Sequence, residues 1–279
     1  MRKKNKISKV LVLLMLIASM LGTCYVSAGA ATVPYRTVQR SDVPVKVGNS
    51  YVWLEYWGIN MKKSKNSSPV AVASSDGRVQ GITNGSTIYY GSSPSEGTGS
   101  LLLGKYSIAT GKHTAYKTLK GWGAICGYYN NKIYYYMEDT STSSIEKFYS
   151  FDTKTKKTSL ISKDFWGSFC YGEYIFGAGG NSHILKVYNM KTKKFTTLSS
   201  KNVGCPSDRA YGGYYYYPKY IAKASGNMNK CKIYKFNLKT GKSVPVSKTF
   251  TASSVNEVTC VEASYCKDNN YQKLYYLKY

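Results

Sequence analysis

The sequence predicts an all-β protein, a β-propeller of six blades, each blade a four-stranded antiparallel meander. Three observations predict it: a segment that returns every 45 residues or so, a tight Asn or Gly turn before an aromatic strand in most copies, and no stretch of sustained helical periodicity.

The repeat is plainest in Lys186-Val187-Tyr188-Asn189-Met190-Lys191-Thr192-Lys193-Lys194 and Ile233-Tyr234-Lys235-Phe236-Asn237-Leu238-Lys239-Thr240-Gly241-Lys242. Related copies are Phe148–Lys157 and Lys105–Lys112, with a fainter one at Gly58–Lys63. The polar residue before the turn falls at 60, 107, 152, 189 and 237, so the intervals are 47, 45, 37 and 48. A degenerate sixth copy, Lys273–Lys278, ends the chain.

The second recurring part is a hairpin. Asn84-Gly85 precedes Ile88-Tyr89-Tyr90, Asn130-Asn131 precedes Ile133–Tyr136, Gly172-Glu173 precedes Tyr174-Ile175-Phe176, and Gly212-Gly213 precedes Tyr214–Tyr217. Asn and Gly accept the positive φ that two-residue hairpin turns require, and aromatic side chains pack well on a pleated sheet. Each unit therefore reads as strand, tight turn, aromatic strand, variable loop, strand, lysine-rich turn, strand. Four such strands form the blade of a propeller, and closing the ring protects edge strands. The last copy lacks a fourth strand, which the segment 33–39 is expected to supply as a clasp.

The rhythm resembles the six-bladed propeller of the Tyr-Trp-Thr-Asp type, found in lipoprotein-receptor-related proteins and in related bacterial exported proteins. The matching residues are Lys132-Ile133-Tyr134-Tyr135-Tyr136, Ile145-Glu146-Lys147 and Phe151-Asp152-Thr153-Lys154. Met137, Ser92 and Gly177 stand near the place of that family's blade-locking Asp. The resemblance implies a propeller fold and a binding role, with no catalytic residues to carry over.

At the N-terminus Arg2, Lys3, Lys4, Lys6 and Lys9 precede an apolar run from Val10 to Val26 and the small residues Ser27–Ala31. That order predicts a signal peptide over 1–31 and a secreted or cell-surface protein, leaving 32–279 as one propeller domain. Processing as a lipoprotein at Cys24 and retention as an uncleaved anchor are the competing readings. No transmembrane segment is expected in the mature chain.

Removing five basic and no acidic residues leaves 34 minus 14, a formal charge of +20 on 32–279. Such a charge favours anionic cell-wall polymers, acidic glycans or an acidic partner protein, and an exported chain is not expected to meet nucleic acid. In a meander the first and third turns share one end. The lysines at 62, 63, 65, 112, 154, 156, 157, 191, 193, 194, 239 and 242 would then form a one-sided basic rim. The strongest candidates are Lys154, Lys156, Lys157, Lys191, Lys193, Lys194, Lys239 and Lys242. The plainer reading is a set of solvated turns.

Trp122-Gly123-Ala124-Ile125-Cys126 and Trp166-Gly167-Ser168-Phe169-Cys170 repeat 44 residues apart, at the start of first strands. First strands line a propeller's channel, so Trp122 and Trp166 are candidate platforms for a sugar ring; inter-blade packing is the alternative. Six cysteines remain after residue 31, which permit 15 pairings, and their state is left open. The only histidines are His113 and His183, and no Cys-x-x-Cys occurs, so neither a metal nor another cofactor is expected.

With 14 acidic residues and none recurring in register apart from Asp152, a pair of carboxylates for glycoside chemistry is poorly supported. Glu138-Asp139, Glu146 and Glu262 are the residues left to supply one. Thr240-Gly241-Lys242-Ser243 reads as a hairpin, since Phe236 stands where a phosphate loop needs its first glycine. The sequence thus favours a non-catalytic recognition module over an extracellular carbohydrate-active enzyme. A choline-binding-type cell-wall anchor, suggested by Gly127–Tyr134, has about half the period seen here.

Overall fold

A computed structural model describes residues 33–94, 99–139, 145–179, 184–201, 210, 212–226 and 229–252. Within them the chain is all-β, with its named strands paired antiparallel and no helix, and hence no helix long and apolar enough to cross a membrane. The expected signal peptide, Cys24, Cys205, Cys260, Cys266, His183, Glu262 and the sixth copy at 273–278 lie outside the described residues.

A short strand, β1 (Arg36–Thr37), comes first. The first meander is β2 (Lys46–Val47), β3 (Ser50–Glu55), β4 (Gly58–Lys62) and β5 (Val70–Ser74). The second is β6 (Arg78–Thr83), β7 (Thr87–Ser93), β8 (Ser100–Ser107) and β9 (Lys112–Lys120). The third is β10 (Gly123–Tyr129), β11 (Lys132–Asp139), β12 (Ile145–Asp152) and β13 (Thr158–Ser162). The fourth is β14 (Trp166–Tyr171), β15 (Tyr174–Gly179), β16 (Ile184–Asn189) and β17 (Lys194–Ser199).

Of the fifth, the described part runs from β18 (Tyr214–Lys223) through β19 (Asn229–Asn237) to an edge broken into β20 (Ser243–Pro245) and β21 (Phe250–Ala252). Ser247, between those halves, keeps the edge paired by accepting the Ile233 N–H on its Oγ at 2.8 Å. The strand order is the one the repeat predicts. The hairpins carry the expected backbone, with Asn130 at φ 45°, Asn131 at 61° and Gly85 at 83°.

The segment 33–39 departs from expectation. Instead of completing the last unit, β1 inserts between the first strands of two other meanders. It pairs antiparallel with β6 through Arg36↔Thr83 and Thr37↔Ile82, and with β14 through Arg36↔Tyr171. The second and fourth meanders become one nine-stranded sheet. The physical reason is that a first strand has one side with no partner in its own meander, and burial there requires its N–H and C=O groups to be bonded. Where the β1 backbone stops matching β14, the Thr37 hydroxyl accepts the Cys170 N–H at 2.7 Å.

The third meander's first strand, β10, packs against both β6 and β14, and is buried from Gly123 to Tyr128. Burial on both faces explains its small residues. A Cβ on Gly127 would fall 2.5 Å from Ile175 Cδ1, and one on Gly167 of β14 would fall 2.7 Å from the Cys126 Cβ. The two Trp-Gly copies are not conformationally equivalent: the register slips around Cys126 in β10 and around Ser168 in β14.

Aromatic rings fill the spaces between meanders. Tyr35, beside β1, lies 4.7 Å from Tyr128 and 5.8 Å from Tyr89, which stacks on Tyr128 at 3.8 Å. Burial first, and then the neighbouring Tyr128, raise the Tyr89 phenol well above its ordinary range. The fourth and fifth meanders meet through Phe176, Tyr215, Phe169 and Phe236, with Phe176 and Tyr215 stacked at 3.8 Å. Cys126 and Cys170 carry free thiols in the core shared by the second, third and fourth meanders. Burial, then the charge of Cys170, pushes the Cys126 thiol far up, and burial pushes Cys170 to about 12.

Two measurements check this architecture. Thr37→Val leaves the buried Cys170 N–H without an acceptor and should cost about 1–3 kcal/mol in urea unfolding, with Thr37→Ser close to wild type. Raised thiol pKa values keep thiolate scarce in the folded state, so at pH 8 Cys126 and Cys170 should resist iodoacetamide and react only after denaturation. Labelling at native rates typical of free cysteine would contradict the burial.

Candidate functional site

The lysine-rich third turns share one built conformation in four meanders. Gly111, Lys156, Lys193 and Gly241 each donate a backbone N–H to the carbonyl four residues back, at 2.8 Å. All four are left-handed, with φ of 67°, 62°, 58° and 69°. In three turns a side chain completes the structure. Asp152 Oδ1 accepts the N–H groups of Lys154 and Thr155, Asn189 Oδ1 those of Lys191 and Thr192, and Asn237 Oδ1 those of Lys239 and Thr240, all at 2.9 Å. The bond from Thr155, with that from Lys154 and the charge of Lys132, holds the Asp152 carboxyl below its ordinary range.

Each third turn is bonded to the first turn of its own meander. Ile108 donates to Ser86, Thr153 to Asn131, Met190 to Glu173 and Leu238 to Gly213, at 2.8–3.0 Å. First and third turns therefore share an end within each meander. Lys112, Lys157, Lys194 and Lys242 all follow the left-handed residue, and Lys154, Lys191 and Lys239 stand two residues after the capping one.

These lysines and Lys193 are exposed. Lys156 is also exposed, but its Nζ donates to the Thr153 carbonyl at 2.8 Å and lies 4.7 Å from the Tyr116 ring. The first meander is different. Its third turn is longer and tied by Ser64 and Ser67, so Lys62, Lys63 and Lys65 do not join the common pattern.

Second turns and the links between meanders lie at the strands' other ends, and there the structure forms a groove of about 610 Å³. Its wall comes from the β3–β4 turn (Tyr56, Trp57), the link before β6 (Asp76, Gly77), the start of β6 (Arg78, Val79, Gln80), Arg40, Leu54 and Trp122. Trp122 is half-buried and packs over Gly99. Trp166 is half-buried too but forms no part of this lining, so the structure does not bring the two tryptophans together in the groove.

Arg78 donates to Glu138 Oε1 at 2.7 Å and to the Tyr136 hydroxyl at 3.0 Å, which fixes its guanidinium on the groove's edge. Arg40 is exposed, with no ion-pair partner among the described residues. Tyr56 and Trp57 are 79% and 57% exposed, and Tyr56 has φ 49°. Sequence reading missed Tyr56, Trp57, Arg40 and Arg78, because the first copy of the repeat is faint. The available signal was Tyr-Trp immediately before Gly58, two bulky residues where a tight turn favours Asn or Gly.

No family model matches the chain, and no curated protein matches it. Among solved structures it is similar to TolB from Acinetobacter baumannii, at 12% identity and TM-score 0.41, over 83% of this chain and 57% of that one. It is also similar to an oligogalacturonate lyase in complex with manganese, at 10% identity and TM-score 0.41, over 72% and 62%. A nidogen/laminin complex is similar at 10% identity and TM-score 0.42, over 77% and 79%. The chain spans about three fifths of the length of the first two.

Proposed function

We propose that this is an exported, non-catalytic recognition module, a ring of six meander blades that binds an anionic cell-envelope polymer through its lysine turns. The observation that carries the reading is the left-handed lysine. Gly111 and Gly241 occupy a position where a side chain is disfavoured by roughly 1 kcal/mol, yet Lys156 and Lys193 stand there in the two intervening meanders. At Lys193, in a turn whose other lysines are exposed, that is a charge kept at a conformational cost and it suits multivalent and salt-sensitive attraction, whereas Lys156 also bonds the Thr153 carbonyl and lies over Tyr116.

The alternative, a carbohydrate-active enzyme, needs two carboxylates facing one sugar. Asp76 is the carboxylate lining the groove, and Glu138 beside it is bound to Arg78. The arrangement therefore favours binding over hydrolysis.

Retention on an anionic wall polymer should fall steeply between low and high salt. Replacing Lys154, Lys157, Lys191, Lys194, Lys239 and Lys242 by Gln should weaken it at least about tenfold, as six exposed contacts of ~0.3 kcal/mol or more would require. Salt-independent retention, or an unaffected six-fold variant, would sink the polymer reading. Lys193→Gly should raise stability by about 0.5–1 kcal/mol in urea unfolding while lowering retention at low salt. A loss of stability there would mean that the side chain, not its charge, is what the turn needs.

A further inference from the structure

The groove at the other end of the strands has no lysine turn in it, and two observations about it are independent of each other. The first is chemical. Trp57 and Tyr56 present exposed rings beside half-buried Trp122, and Arg40, without an ion-pair partner among the described residues, shares the same concavity. Aromatic faces offer flat apolar surfaces of the size of a pyranose ring, with polar edges for its hydroxyls. A guanidinium offers two parallel donors that match a carboxylate or phosphate.

The second observation is conformational. Glu55 pairs with Gly58 across the β3–β4 hairpin, so Tyr56 and Trp57 are its two turn residues. Positive φ at the first of them is the place for glycine, and a bulky residue in that conformation is an outlier. Tyr56 holds φ 49° while its side chain remains 79% exposed, so burial of the ring in the core does not repay the strain. Strain kept without a packing reward marks a residue held for something outside the fold.

We infer that this groove is a second binding site, which takes a pyranose residue carrying an anionic group. The ring lies against Trp57 and Tyr56, and Arg40 receives the carboxylate or phosphate. Arg78, already bound to Glu138 and Tyr136, keeps that wall rigid and does not take the anion. The site is separate from the lysine turns, so each can fail without the other.

Titration calorimetry of the full protein with three probes tests it: a glucuronate oligosaccharide, its methyl ester, and a sugar phosphate. The expected result is binding of the glucuronate, with the ester at least tenfold weaker, and Arg40→Gln bringing the two together. The sugar phosphate arm tells a carboxylate site from one that reads any anion. Tyr56→Gly should raise the melting temperature and weaken the glucuronate complex together, a combination that a merely structural role would not produce. Trp57→Ala should weaken both acid and ester, and the lysine-to-glutamine variant should leave this binding unchanged. Equal affinity for acid and ester, no binding of any probe, or Tyr56→Gly binding as wild type would overturn the assignment.

Discussion

Two residues, Arg36 and Thr37, hold the centre of this protein. By bonding to β6 on one side and β14 on the other, β1 satisfies the inner edges of two meanders that would otherwise be buried with open hydrogen-bonding groups. The rest of the interior follows from that placement. β10 packs against the same two first strands, its glycines let the neighbours approach, and Tyr35 anchors the tyrosine cluster from the residue before β1.

The meanders themselves were legible in the sequence because their signals are local. Asn84-Gly85 and Asn130-Asn131 mark hairpins by backbone chemistry alone, and Asp152, Asn189 and Asn237 mark third turns whose caps need only the next few residues. Strand β1 was not legible in the same way. Two residues carry no period, and their partners, Thr83 and Tyr171, are far along the chain. The tryptophan repeat illustrates the middle case: its spacing foretold two strand starts, but the slip at Cys126 and at Ser168 depends on what packs behind each strand.

The two ends of the strands are chemically unlike. One carries lysines on stiff, capped turns; the other carries a groove with exposed rings and an arginine. Charge spread over many exposed turns suits a long, repetitive polyanion whose contacts are individually weak, whereas a concave aromatic wall suits a single residue of such a chain. Local sequence exposed the first and hid the second, since Arg40, Trp57 and Trp122 come together only when two meanders and the segment after β1 are in place.

The seat of β1 also has a consequence for time. The Thr37 hydroxyl and the Cys170 N–H that it receives are 133 residues apart, so this bond closes a very long loop. Chains dominated by such distant contacts fold slowly, because loop entropy is lost before the contact is gained. Hairpins can form as they emerge, but the core cannot seal until the fourth meander arrives, and until then the β1 edge that β14 will cover remains open to the wrong strand.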